Sequence, residues 1–389
     1  MIGRPLAAHS PRAVRETLLR YGWDQIRAEA AAGSVETVVI LLEEVPEESL
    51  EALVRFNQKV GLDVLTGEGW VLLAGSRSRL AAFARPWMLP PELVEIASLV
   101  GRALPGEVPQ VWQTARGAIP LSRPVLFGIL NLTPDSFSDG GRYVALDDAL
   151  AHAEVLLESG ADGIDLGGES TRPGAVPVDQ AEEIRRVLPL VEALVRRHPD
   201  LPVSIDTVKS SVAAAALDRG AAIINDVSAF RLDPSMGEVA ARSGAGVILM
   251  HSRGNVADMA TMAHADYGAD LQGTIMREMV DSLDAASAAG VAREHVVMDP
   301  GLGFSKTPEQ SMAVLDQLRV FSSLDRPILV GPSRKRFLGI ASGKPLEDRD
   351  RATAVACVMA FERGAQLFRV HNVAIVREAL NVAGAIRGS

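Results

Sequence analysis

The chain has 389 residues, 48% of them hydrophobic and 23% charged, enough apolar material for a sizeable core and too much for a globally disordered polypeptide. Its 39 basic and 49 acidic residues leave a net charge of −10, which argues against a general nucleic-acid or anionic-membrane binder but not against a local basic cluster facing an anionic small molecule. The one cysteine, Cys357, excludes an intramolecular disulfide, and its place in the apolar helical run "ATAVACVMAF" reads as core packing.

The N-terminus, "MIGRPLAAHSPRAV", has no sustained apolar run of the signal-peptide kind. No stretch reaches the roughly 18 apolar residues of a membrane span. Both features fit a cytoplasmic protein. Residues 1–119 read as a small α+β unit of unassigned function. Helical periodicity is visible in "RAVRETLLRYGW" and "PEESLEALVRFNQKVG", and strand character in "VETVVILLEEV" and "WVLLAGS". The segment "LPGEVPQVWQTARGAIPLSRP" carries Pro105, Pro109, Pro120 and Pro124, and reads as a linker or a strap onto the next domain.

Residues 120–389 are more regular. Apolar strand candidates are "PVLFGILNL", "DGIDLGG", "PVSID", "AAIINDV", "GVILMH", "HVVMDP", "PILVG" and "LFRVH". Helical patterns separate them, such as 145–160, where Leu146, Leu150, Ala153 and Leu157 share a face. Continuous apolar strands alternating with helices predict a parallel sheet covered on its outer side. Eight such repeats predict a (β/α)8 TIM barrel, with an open doubly wound sheet as the alternative.

In such a barrel the chemistry sits at the C-terminal ends of the strands. In order, the strand ends deliver Asn131 with "TPDSFSDGG"; Glu169, Ser170, Thr171 and Arg172; Asp206; Asn225 and Asp226; His251 and Arg253; Asp299 with Lys306 beyond it; Ser333, Arg334 and Lys335; and Arg369, His371 and Asn372. Any one of these side chains can cap a helix or satisfy a loop, and Asp226 reads that way. The set does not, because caps do not require so many cations on one rim of an acidic protein.

Two chemical groups emerge. Asp206, Asn225 and Asp299 suit a planar heterocycle bearing several N–H donors, with Lys335 donating to a ring carbonyl or nitrogen. Asn131, Thr171, Arg172, Arg369 and His371 come from neighbouring strands and suit phosphate or pyrophosphate. Asn131 and Asp135 supply oxygens of the kind that hold Mg²⁺ beside substrate phosphates. No His/Cys set has zinc spacing, and "GLGFSK" is not a phosphate-binding glycine loop of known spacing.

Taken in order, "GILNLTPDSFSDGG", "GIDLGGESTRPGA", "SIDT", "INDVSA", "MDPGLGFSK", "GPSRK" and "RVHNV" resemble the dihydropteroate synthase family over about residues 122–389. The resemblance implies an enzyme of folate synthesis that joins 6-hydroxymethyl-7,8-dihydropterin pyrophosphate to p-aminobenzoate, releasing pyrophosphate in an SN1-like displacement. It implies that Asp206, Asn225, Asp299 and Lys335 hold the pterin. It implies that Asn131, Thr171, Arg172, Arg369 and His371 hold the pyrophosphate, with Mg²⁺ on Asn131 and Asp135. Ser333 would receive the aminobenzoate carboxylate, and Phe137 and Pro173 would wall that pocket, where sulfonamides compete. Lys335, Arg369, His371 and Asp206 would carry the catalytic work. A homodimer is implied, with small-molecule substrates and neither nucleic acid nor membrane as partner. Ser252, Leu302, Ser311 and Asn372 depart from the family's usual residues. A folate-dependent corrinoid methyltransferase would share the pterin groups but not need the pyrophosphate patch. A catalytically silent pterin binder would keep the pocket without turnover.

Overall fold

A computed structural model describes Gln25 and residues 37–85, 89–104, 109–132, 142–170 and 178–387. Two compact units divide between Gly106 and Glu107. In the first, strands β1 (Thr37–Glu43), β2 (Asp63–Gly67) and β3 (Trp70–Ser76) form an antiparallel sheet in the order β1-β3-β2. The alternation in "TVVILLE" buries Ile40 and Leu42 and leaves Val39 and Leu41 exposed. The buried face packs with helices Glu47–Val60, Arg77–Phe83 and Pro91–Ala103 through Leu53, Leu80 and Leu93. β2 and the last two helices are not apparent in the sequence pattern. The expected helix at "RAVRETLLRYGW" lies outside the described residues.

The second unit opens with a hairpin, β4 (Val111–Thr114) and β5 (Gly117–Pro120). Eight parallel strands follow: β6 (Val125–Asn131), β7 (Gly163–Gly167), β8 (Val203–Asp206), β9 (Ile223–Asp226), β10 (Gly246–Met250), β11 (Val296–Asp299), β12 (Leu329–Val330) and β13 (Leu367–Val370). They neighbour one another in chain order, β13 pairs with β6, and a bridge between Met298 and Ile328 joins β11 to β12. The sheet therefore closes into a barrel. Helices follow each strand, including Arg142–Glu158 after β6 and Val373–Arg387 after β13. Two helices, Arg336–Ser342 and Asp350–Glu362, lie between β12 and β13. Among the described residues, no helix is long and apolar enough to cross a membrane.

The strands are apolar on both faces for different reasons. Leu126, Ile164, Leu166, Ile205, Ile224 and Leu249 point outward into the layer shared with the helices. Inside, the N-terminal end is filled by Val125, Phe127, Ile223, Ile248, Val297, Leu329 and Leu367. The proline-flanked segment is the floor of this layer: Trp112, Ile119 and Leu121 from the hairpin close it. Trp112 is fully buried, and its indole N–H donates to the His295 carbonyl at 2.8 Å. Trp112→Ala would leave a large cavity there and an unsatisfied carbonyl. It is expected to destabilise the barrel by about 3–5 kcal/mol. A denaturant midpoint equal to the wild type would contradict this role.

Candidate active site

With its floor apolar, the barrel turns polar one layer higher. Parallel pairing sets Asp165 beside Ser204 and Asp206 beside Asn225, all on the inward face. Asp165 is almost wholly buried, and its Oδ1 accepts from Ser204 Oγ at 2.6 Å. The Asn225 amide donates to both Asp165 oxygens, at 3.3 and 3.4 Å. Arg369, from β13 across the barrel, donates through Nε to Asp165 and through Nη2 to Asp206. One planar guanidinium thus bridges two carboxylates through two separate nitrogens and still carries a third, a fork that the single nitrogen of a lysine does not match. Its third nitrogen, Nη1, makes no hydrogen bond among the described residues. Burial by itself would lower the Arg369 pKa, but Asp165 and Asp206 outweigh it and hold the group above its ordinary value. Burial also pushes the Asp206 carboxyl up to about 7, against the pull of Arg369 and with Asp165 and Glu183 adding repulsion.

Asp165 is the site residue that the sequence reading missed. A survey of strand ends passes over it, because it lies in the middle of "GIDLG". The available signal was a carboxylate inside an otherwise apolar strand, two residues from the end and therefore on the same face as Gly167.

Asp299 ends β11, and its Oδ1 accepts from the Gly301 N–H at 2.7 Å. Gly301 has φ +68°, and a Cβ there would stand 2.0 Å from the His251 carbonyl oxygen, so only glycine fits. Burial pushes the Asp299 carboxyl up to about 6, while the Gly301 N–H, Lys335 and Arg369 oppose the rise. Lys335 crosses Gly303 to place its ammonium 3.7 Å from the centroid of the Phe304 ring. Among the described residues, no hydrogen bond reaches that ammonium. Burial pulls its pKa down to about 7; Arg369 helps, and Asp299 and Asp206 resist.

Ser333 and His371 meet directly. Ser333 Oγ lies 2.9 Å from His371 Nδ1 and accepts from the His371 backbone N–H at 3.1 Å. Arg334 does not join the mouth. It sits at φ +57°, and its guanidinium forks onto Asp350 at 2.7 and 2.8 Å. Asn372 donates to the same Asp350 at 3.0 Å, while its carbonyl oxygen accepts from Ile375 N–H in the first turn of the helix Val373–Arg387. An aspartate at 372 would face Asp350 with like charge, so the amide suits this neighbourhood.

The other departures also have local partners. Ser252 Oγ donates to the Val227 carbonyl at 2.6 Å. Leu302 is buried in the core. Ser311 Oγ accepts from Gly303 N–H at 3.2 Å and donates to the Thr307 carbonyl at 3.0 Å. Asp226 binds Ser228 and Phe230 N–H groups at 2.7 and 2.8 Å, so it orders its own loop, as the sequence reading has it.

Asn131 ends β6 with its side-chain oxygen facing Gly167 and near the Asp206 carboxylate. Glu169 accepts from the Val178 N–H at 2.7 Å and from Lys209 Nζ at 3.0 Å. Lys209 is shared with the buried Glu183 at 2.6 Å. Thr171, Arg172 and Pro173, together with Asp135 and Phe137, lie outside the described residues. Among the described residues, no cluster of three or more His, Cys, Asp and Glu is arranged to hold a metal.

The described groups therefore make a buried mouth with carboxylate and amide acceptors on β8, β9 and β11 and fixed or titratable cations on β13 and after β12. Such a mouth can bind the edge of a polar heterocycle and stabilise a departing anion at its rim. The family model described as "Pterin binding enzyme" matches residues 127–371, leaving the first unit outside. The dihydropteroate synthase of Bacillus subtilis is 41% identical over 251 residues, 64% of this chain and 84% of that protein. That of Synechocystis is 43% identical over 265 residues, 68% of this chain and 90% of its own. A Xanthomonas albilineans dihydropteroate synthase solved with 4-aminobenzoic acid superposes with TM-score 0.66 at 39% identity, covering 72% of this chain and 99% of that one. A Yersinia pestis dihydropteroate synthase in complex with a sulfonamide drug also gives 0.66, at 40% identity, covering 72% and 100%. The order of the strand-end motifs and the closed barrel agree with these likenesses: the chain belongs to the pterin-binding enzyme family and, within it, to the dihydropteroate synthases.

Proposed function

We propose that this chain condenses 6-hydroxymethyl-7,8-dihydropterin pyrophosphate with p-aminobenzoate to give 7,8-dihydropteroate and pyrophosphate. The observation that carries the reading is the convergence of Asp206, Asn225, Asp299 and Lys335 in one buried mouth with Arg369 at its edge. The two carboxylates and the amide accept the pterin N–H groups, and Lys335 donates to the ring. Arg369, through the Nη1 that bonds none of the described residues, and His371 take the pyrophosphate with Asn131, Thr171 and Arg172. Ser333 receives the aminobenzoate carboxylate, and Phe137 and Pro173 wall that pocket. Sulfonamides would compete for it.

The bond from the pterin methylene to pyrophosphate oxygen breaks first, and its electron pair leaves with the pyrophosphate. Arg369 and His371 stabilise that charge. The methylene carries cationic character until the aminobenzoate nitrogen attacks and loses a proton. Mg²⁺ fits the oxygen donors proposed for it, Asn131 and Asp135, since it is commonly held by few protein oxygens and by substrate phosphates. When bound it would neutralise pyrophosphate charge. Incubating the protein with both substrates and Mg²⁺ tests the reading: dihydropteroate forms, or the reading fails. Pterin binding without condensation would favour the methyltransferase or the silent binder.

A pH dependence follows. The carboxylates must be ionised to accept pterin N–H groups, and burial holds Asp299 at about 6 and Asp206 at about 7. Protons leave the carboxylates as pH rises, so kcat/KM for the pterin substrate is expected to climb from about pH 5 towards 7, and above about 7 the loss of the Lys335 proton opposes any further rise. A flat profile across that range would contradict the assignment.

A homodimer is part of the same proposal. The helices Asp350–Glu362 and Val373–Arg387 expose Val355, Met359, Val382 and Ile386, the last 84% accessible. Beside them runs an apolar groove of about 830 Å³ that Phe337, Leu338, Val355 and Met359 help to line. A second copy would cover this face. A monomer in sedimentation at micromolar concentration would contradict it.

A further inference from the structure

Lys306 plays no part in the reaction as proposed, yet it is among the most deeply buried charges of the barrel, 3% exposed. Its ammonium has three N–H donors and three acceptors: His251 Nδ1 at 2.9 Å, the Gly301 carbonyl at 3.2 Å and the Phe304 carbonyl at 3.2 Å. All three acceptors are neutral. The histidine is fixed as an acceptor, because burial and then the Lys306 charge hold its pKa at about 4. Its other nitrogen, Nε2, lies 2.9 Å from Glu278, a carboxylate that also takes the Arg253 guanidinium. That network assigns the proton to Nε2. Burial draws the Lys306 pKa down to about 7, and Asp299 and Glu278 pull it back.

The two carbonyls are the informative partners. They belong to the turn that contacts two groups of the pterin mouth. The Gly301 N–H binds Asp299, and the Phe304 ring lies under the Lys335 ammonium. Fixing both carbonyls fixes the aim of a carboxylate and of a cation at once. We propose that Lys306, oriented by His251 and Glu278, is a positioning residue that holds the Gly301–Phe304 turn so that Asp299 and Lys335 face the pterin. The inference rests on the functional reading above. A packing role alone would predict lost stability with no particular coupling to Lys335.

The test is a double-mutant cycle on the whole chain, read as the dissociation constant of 6-hydroxymethyl-7,8-dihydropterin pyrophosphate. Lys306→Met keeps the stem and removes the donors. It is expected to weaken that ligand at least tenfold in the wild-type background and by a factor at least threefold smaller in the Phe304→Leu background, where the contact to Lys335 is already lost and only the aim of Asp299 remains to lose. Equal losses in the two backgrounds, or no loss in the first, would overturn the proposal. Should Lys306→Met fail to fold, His251→Leu and His251→Gln decide. Glutamine retains an acceptor for Lys306 and is expected to recover most of the affinity lost in the leucine variant. Equal affinity in the two would overturn the proposal. Wild-type protein that neither binds this ligand nor forms dihydropteroate refutes the functional reading instead, which separates the two failures.

Discussion

Arg369→Ala is expected to reduce turnover by about a thousandfold or more and to destabilise the barrel. The second effect follows from the site's electrostatics. Arg369 lies between Asp165 and Asp206, both within the polar layer of the barrel. Removing it leaves two carboxylates without their shared cation, and breaking a buried pair from one side costs about 3–5 kcal/mol. Part of that cost is avoided by protonating Asp206, whose pKa is already about 7 with the cation present. A protonated Asp206 is a poorer acceptor for pterin N–H groups. The first effect adds the loss of the charge that meets the departing pyrophosphate. Arg369→Lys should recover little, since one ammonium nitrogen that meets both carboxylates has no second, fixed nitrogen left for the pyrophosphate. Steady-state kinetics with a thermal midpoint on the same samples checks this. A variant as stable as the wild type and within tenfold of its activity would refute it.

Lys335→Ala is expected to behave differently. Its ammonium rests on the Phe304 ring and leaves no hydrogen-bonded partner among the described residues. Burial draws its pKa to about 7, so the native state holds its charge at a cost. Truncation should therefore leave the thermal midpoint near the wild-type value. Pterin affinity and kcat/KM should fall by about 10² to 10³, the loss typical of one donor aimed at a reacting group. Such a residue is retained for function against stability. A large stability loss with modest kinetic change would reverse the interpretation.

The pair also shows what the sequence made legible. The eight barrel strands are continuous apolar runs, and all eight strand ends announce themselves with polar side chains where the apolar runs stop. Asp206, Asn225, Asp299 and Lys335 were all found in this way, and the structure brings them to one mouth. Asp165 was not, because its role depends on which strand faces it, and facing is a property of register. Arg334 looked like a cation of the rim. Its positive φ turns it to Asp350, a choice made by the backbone and invisible in residue type. The prolines around Trp112 concealed a hairpin whose purpose, closing the barrel floor, exists only once the barrel does. In the first unit, β2 has five residues with an irregular burial pattern, too short for periodicity to reveal. The separation of pterin from pyrophosphate groups was also too clean. Arg369 binds Asp206, which wires a pyrophosphate group to a pterin group, and Ser333, assigned to the aminobenzoate, meets His371 after the neighbouring strand.

The most direct measurement is a crystal structure of the protein with 7,8-dihydropteroate. The account predicts the pterin ring within hydrogen-bonding distance of Asp206, Asn225, Asp299 and Lys335, with the benzoate carboxylate at Ser333. A pterin bound elsewhere, or one in the mouth that leaves Asp299 and Lys335 untouched, would contradict it.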